Sequence, residues 1–222
     1  MEAIEEYTKA IELEPNNDSV YISRAIAKHD MQDLNGAIID FTKSIEINPF
    51  EPYAFFGRGM TKTDLGDLEG ALEDFNKGLK LNPDDAYAYI GLGIIKAEMG
   101  DFEDATLYFN KSIEIDSEIG AAYLNLAQIK IDLGNYSGAI RDATSAIELD
   151  ENYTEAYFIR GLGKMMTQDY EGALEDLNKG IELNPDDAYA YLFRSKIKAA
   201  LNDYSGAMAD LYKALELDPD LM

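Results

Sequence analysis

The stretch Asn82-Pro83-Asp84-Asp85-Ala86-Tyr87-Ala88-Tyr89 returns as Asn184-Pro185-Asp186-Asp187-Ala188-Tyr189-Ala190-Tyr191. The interval from Pro83 to Pro185 is 102 residues, three times 34. Steps of 34 from Pro15 land on Pro49, Pro83, Ser117, Glu151, Pro185 and Pro219, so five of the seven stops are proline although the chain holds six prolines in all. No insertion or deletion breaks this register. A strict period of this length dictates a stack of like supersecondary units, none of which can bury its apolar face alone.

Each period carries two helical patterns. In residues 86–119, Tyr89, Leu92, Gly93 and Lys96 share one face, Gly100-Asp101 interrupts, and Phe102, Ala105, Phe109, Ser112, Ile113 and Ile115 form a second stripe. Gly66, Gly100 and Gly134 suit the left-handed turn that ends a first helix. Asp33, Asp67, Asp101, Asn135, Asp169 and Asp203 suit the cap of the second. The Asx-Pro pair stops that second helix, and Asp84-Asp85 can cap the next first one. Small residues recur in fixed slots, as in Ala25, Gly59, Gly93, Ala127, Gly161 and Ser195, or Ala37, Ala71, Ala105, Ala139, Ala173 and Ala207. Large ones recur beside them, as in Tyr21, Phe55, Tyr89, Tyr123, Tyr157 and Tyr191. Large against small at fixed places is how antiparallel helices interdigitate.

On these aromatic, small, Gly-Asp, alanine and proline slots the whole chain resembles the tetratricopeptide repeat (TPR) family. The resemblance implies an all-α TPR solenoid, a right-handed superhelix of antiparallel helix pairs whose first helices line a concave groove. The expected organisation is a single repeat domain over residues 1–222. It has a half repeat at 1–17 and full repeats at 18–51, 52–85, 86–119, 120–153, 154–187 and 188–221. Ser117 and Glu151 depart from the proline pattern, and the face beside Leu211 and Leu215 is expected to be open.

Charge and composition narrow the function. A formal net charge of −24 argues against binding to nucleic acid, which needs basic patches. No apolar run approaches the ~20 residues of a membrane span. The start has no basic segment leading into an apolar run, so no secretory signal is visible and a cytoplasmic location is the expectation. Cysteine is absent and His29 is the only histidine, so thiol chemistry and a histidine-based metal site are not expected, nor is any cofactor. The glycines are explained by turns and helix crossings rather than by a phosphate loop. The chain reads as no enzyme.

One pattern is unusual. Lys28, Lys62, Lys96, Lys130, Lys164 and Lys198 share a slot in the first helix. Four residues earlier stand Arg24, Arg58, Arg160 and Arg194, and the same four repeats carry Asp40, Asp74, Asp176 and Asp210 in the second helix. An arginine placed at a helix crossing needs a partner, and the bidentate carboxylate is expected to supply it. The third repeat has Leu92 and Tyr108 instead, and the fourth has Leu126 beside Asp142.

The slots that the resemblance places in the groove are Tyr53, Phe56, Met60, Tyr87, Ile90, Ile94, Leu124, Gln128, Phe158, Leu162 and Tyr189. They are mainly apolar and aromatic. Asn125 sits where the family's carboxylate clamp has an asparagine, but Ile90, Ile94, Glu155 and Ile159 are wrong for that clamp, so no chaperone-tail ligand is expected. Acids follow along one edge at Asp30, Asp64, Glu98 and Asp132. The expected function is a protein-interaction scaffold that takes a peptide or helix of a partner protein, one with basic residues, in its groove. The alternatives are end-to-end self-association and a substrate-docking arm of a larger enzyme.

Overall fold

The computed structural model describes residues 2–221. Among them are thirteen α-helices and no strand. A single helix, α1 (Glu2–Leu13), comes first. Six pairs follow: α2 (Asp18–Asp30) with α3 (Leu34–Ile47), α4 (Pro52–Asp64) with α5 (Leu68–Leu81), and α6 (Ala86–Glu98) with α7 (Phe102–Ile115). Then come α8 (Gly120–Asp132) with α9 (Tyr136–Leu149), α10 (Thr154–Met166) with α11 (Tyr170–Leu183), and α12 (Ala188–Ala200) with α13 (Tyr204–Leu217). Among the described residues no helix is long and apolar enough to cross a membrane.

The chain forms two compact units, Met1–Ile115 and Asp116–Met222. In the first, α1 packs on α2, and each later pair packs on the one before it. The first helices α2, α4 and α6 also touch in succession, which builds a wall of first helices. In the second unit α8, α10 and α12 repeat that arrangement.

The turns form as their residues dictate. Gly66, Gly100 and Gly134 have φ of +78°, +80° and +73°. The other three repeats place Gln32, Gln168 and Asn202 in the same conformation. The side chains of Asp33, Asp67, Asn135, Asp169 and Asp203 each accept a hydrogen bond from the backbone N–H three residues on, at 2.9–3.1 Å. Such a cap contributes about 1 kcal/mol. Asp101 shares its carboxylate between the Lys96 ammonium and the backbone of Asp104. Asp85 and Asp187 cap α6 and α12.

The small slots allow close crossing. Ala25, Ala71, Ala105, Ala127, Ala139 and Ala173 are fully buried, beside Phe41, Phe75, Phe109 and Leu177. At Gly78 the missing side chain is filled by a neighbour, because an added Cβ would lie 2.2 Å from the Phe56 ring. That notch seats Phe56. On α13 the exposed large apolar residues are Tyr204, Met208 and Tyr212, four apart, and Leu211 is half-buried although Phe41, Phe75, Phe109, Ala143 and Leu177 are buried in the same slot.

Candidate functional site

Each repeat with an arginine in its first helix builds the same charged cluster. Arg58 donates from Nε and Nη2 to the two oxygens of Asp74, at 2.8 and 2.7 Å. Arg24 with Asp40, Arg160 with Asp176 and Arg194 with Asp210 repeat this fork within 2.6–2.9 Å. The lysine one turn later joins the same carboxylate, as Lys62 does at 2.7 Å and Lys28, Lys164 and Lys198 do at 2.7–2.8 Å. Sequence reasoning paired the arginine but left the lysine out. The signal was its constant offset of four, one helical turn, from the arginine.

The cluster also ties each pair to the helix before it. Arg24, Arg58 and Arg160 donate from Nη1 to Thr8, Thr42 and Thr144, and Arg194 to Asn178. The guanidinium lies over Tyr21, Phe55, Tyr157 or Tyr191, 5.2–5.9 Å from the ring centre. Burial alone pushes the carboxyls of Asp40, Asp74 and Asp210 up, but hydrogen bonds from arginine and lysine outweigh it and hold them below the usual range. In the third repeat, Leu92 and Tyr108 remove the fork, and Lys96 turns to Asp101 and Asp104 at 2.9 and 3.0 Å. In the fourth, Lys130 pairs with Asp142 alone.

In unit Met1–Ile115 these pairings leave a groove of about 700 Å³ with no lysine or arginine among its lining residues. First helices α2, α4 and α6 wall it, and Phe41 and Phe75 reach it from behind. Six of the eleven expected groove residues line it: Tyr53, Phe56, Met60, Tyr87, Ile90 and Ile94. Tyr53, Met60 and Tyr87 are 58%, 50% and 70% exposed, while Ile90 is buried in the floor. Phe56 is held edge-on to Tyr53 at 6.1 Å and stacked on Phe75 at 5.9 Å.

The carboxylates of Asp30, Asp64 and Glu98 also line this groove. They are the last residues of α2, α4 and α6. His29 sits among them, with Nε2 2.6 Å from Asp64 and Nδ1 3.9 Å from Asp30. Asp85 adds a fourth carboxylate, already occupied as the α6 cap.

In unit Asp116–Met222 a smaller groove of about 340 Å³ takes Leu124, Gln128 and Phe158, together with Asn125, Thr154, Glu155, Ile159, Asn184 and Asp187. Phe158 meets Phe193 edge-on at 5.5 Å, and the Lys196 ammonium lies 4.6 Å from the Phe193 ring centre. The expected residues Leu162 and Tyr189 lie outside both grooves, although Tyr189 is exposed. Among the described residues no group of three or more histidine, aspartate or glutamate side chains is placed to hold a metal ion.

Comparison with known proteins agrees with this architecture. Family models described as TPR repeat match residues 59–100, and models described as tetratricopeptide repeat match 86–119, 120–153 and 165–221. The chain belongs to the tetratricopeptide repeat family and is an all-α TPR solenoid. That repeat is in general a non-catalytic protein-interaction module, and the chain is by its fold a protein-interaction scaffold. A chain of the APC/C hetero-tetramer Cut9-Hcn1 is similar over 97% of this chain, with a TM-score of 0.86 and 16% identity. This chain spans 43% of that one. PilF of Pseudomonas aeruginosa matches with a TM-score of 0.83 and 15% identity, over 91% of this chain and 92% of that one. YrrB, described as a TPR protein with an unusual peptide-binding site, matches with a TM-score of 0.61 and 22% identity, over 83% of this chain and 95% of that one. Comparison with curated proteins gives no match.

Proposed function

We propose that this scaffold is non-catalytic and binds an apolar segment of a partner protein in the groove walled by α2, α4 and α6. The observation that carries the reading is the groove itself. It holds about 700 Å³, within the range of ligand sites, and its lining is exposed aromatic and aliphatic surface framed by polar groups. Preorganisation is the mechanism. Phe56 is locked between Tyr53, Phe75 and the Gly78 notch, so little ordering cost falls on the scaffold when a ligand docks. The peptide-binding site named for YrrB is in keeping with such a use of the fold.

Selection of a displayed random peptide library on the full chain tests this. Bound peptides should be lost by a chain carrying Tyr53→Ser, Met60→Ser and Tyr87→Ser. These side chains are exposed, so circular dichroism should report an unchanged fold. Peptides held equally by both chains would sink the proposal.

A second reading, self-association, draws on the exposed Tyr204, Met208 and Tyr212 stripe of α13. Light scattering decides it: mass rising with concentration, and falling back in Tyr204→Ser with Tyr212→Ser, supports it. A constant monomer mass rejects it.

A further inference from the structure

The groove of unit Met1–Ile115 places its charge against a local rule. Cations favour a helix C-terminus, where the backbone dipole presents a partial negative charge, and a carboxylate there costs a few tenths of a kcal/mol or more. Yet α2, α4 and α6 end in Asp30, Asp64 and Glu98, and all three line the groove. Three carboxylates and three helix ends thus add their fields along one edge. The like slot of α8 also holds an acid, Asp132, but those of α10 and α12 hold Met166 and Ala200, so neither the period nor the fold demands an acid there. A local rule broken at consecutive repeats marks a site where something other than stability is served.

The cations that could neutralise this edge are committed elsewhere. Arg58 and Lys62 are held by Asp74, and Lys96 by Asp101 and Asp104. The first-helix cations of α2 are held likewise by Asp40. His29 reaches only part of the edge, at Asp64 and Asp30. No ion pair or hydrogen bond engages the Glu98 carboxylate among the described residues.

Resting on the reading that this groove binds a partner, we infer that its occupant is a cationic amphipathic segment of another protein. Its apolar side chains enter between Tyr53, Met60 and Tyr87, and its lysines or arginines lie along the Asp30, Asp64 and Glu98 edge. Neighbouring helix axes stand about 8–10 Å apart, so the cations are wanted at about that interval. Charge complementarity is what selects this class. An acidic or phosphorylated segment would meet the edge and a chain of net charge −24 as a repulsion.

The same library selection reads the inference separately from the groove itself. Peptides retained by the full chain should combine apolar residues with an excess of lysine and arginine, and should bind less tightly as salt is raised. Exchange of Asp30→Asn, Asp64→Asn and Glu98→Gln keeps side-chain shape and should weaken a retained peptide by about tenfold, as expected of three exposed ion pairs. Asp132→Asn, in the other unit, should leave that peptide's affinity unchanged. Retained peptides without excess cations, unmoved by the three exchanges yet lost with Tyr53, Met60 and Tyr87, would overturn the inference and leave the groove reading standing. Peptides unmoved by either set would overturn both.

Discussion

The two units share one framework and differ in what they present. Residues 1–115 and 116–222 each carry two Arg–Asp–Lys clusters with the same fork geometry, at Asp40 and Asp74 in one and Asp176 and Asp210 in the other. Their grooves diverge. One holds about 700 Å³ with the carboxylates of all three first-helix C-terminal ends in its lining, and the other about 340 Å³ with Asn125, Gln128, Glu155 and Asp187 but no first-helix C-terminal end in its lining. The lesson is that interior slots answer to the helix crossing, which is the same in every repeat. Exposed groove slots such as Tyr53, Met60 and Tyr87 carry no such packing demand and are freer to differ between repeats.

The comparison can be broken at the framework first. Asp74→Ala strips the buried partner from Arg58 and Lys62, and Asp176→Ala does the same to Arg160 and Lys164. Each should cost about 3 kcal/mol in denaturant unfolding, because an uncompensated cation remains at the crossing. A large cost in one unit and none in the other would show that the clusters are not equivalent.

Acid should act on the same clusters. Asp40, Asp74 and Asp210 have folded pKa values depressed below the unfolded carboxylate value of about 3.9. Their contribution is fully present above that pH and is lost as the pH falls through the lower folded values. Thermal stability should therefore fall below about pH 4, and Asp74→Ala should flatten the slope. An unaltered slope would contradict this account of the clusters.

A smaller effect should differ in sign between the units. Gly78 and Gly180 share a slot, but a Cβ at Gly78 meets the Phe56 ring at 2.2 Å, whereas at Gly180 the nearest atom is 3.9 Å away. Gly78→Ala should destabilise by about 1–3 kcal/mol and disturb the groove floor. Gly180→Ala should stabilise by about 0.5–1 kcal/mol, since alanine loses less backbone entropy in a helix. Equal effects in calorimetry would mean that the Phe56 notch is not built as described.

Two other members of that slot bear on it as well. Ser44 and Ser112 are fully buried, and their hydroxyls have no hydrogen-bond partner among the described residues. Replacement of either by alanine should raise stability by about 1 kcal/mol, as alanine already serves at Ala146 and Ala214. A loss of stability on chemical denaturation would point to a partner for the hydroxyl.

Much of this was legible in the chain itself. The 34-residue step located all the helix pairs, because helix stops, caps and crossing residues are local and recur in place. The arginine forks were readable because a buried guanidinium leaves few alternatives to a carboxylate on the facing helix. The groove was legible only in part. Helical spacing marks which slots face one side of a first helix. It does not say how deep the space between neighbouring helices is, and Leu162 and Tyr189 fell outside both grooves for that reason.

What the sequence by itself determined is therefore the repeat: its length, its two helices, its caps and turns, and the residue types at each crossing. The tertiary structure alone decided how charge and space are shared out. It drew Lys62 and its counterparts onto the aspartates behind the wall, seated Phe56 in the Gly78 notch, and left Asp30, Asp64 and Glu98 along one groove edge. The physical reason is range. Caps and turns are settled within a few residues of chain, whereas these buried clusters and the groove depend on side chains twelve or more residues apart, brought together only when the helices pack.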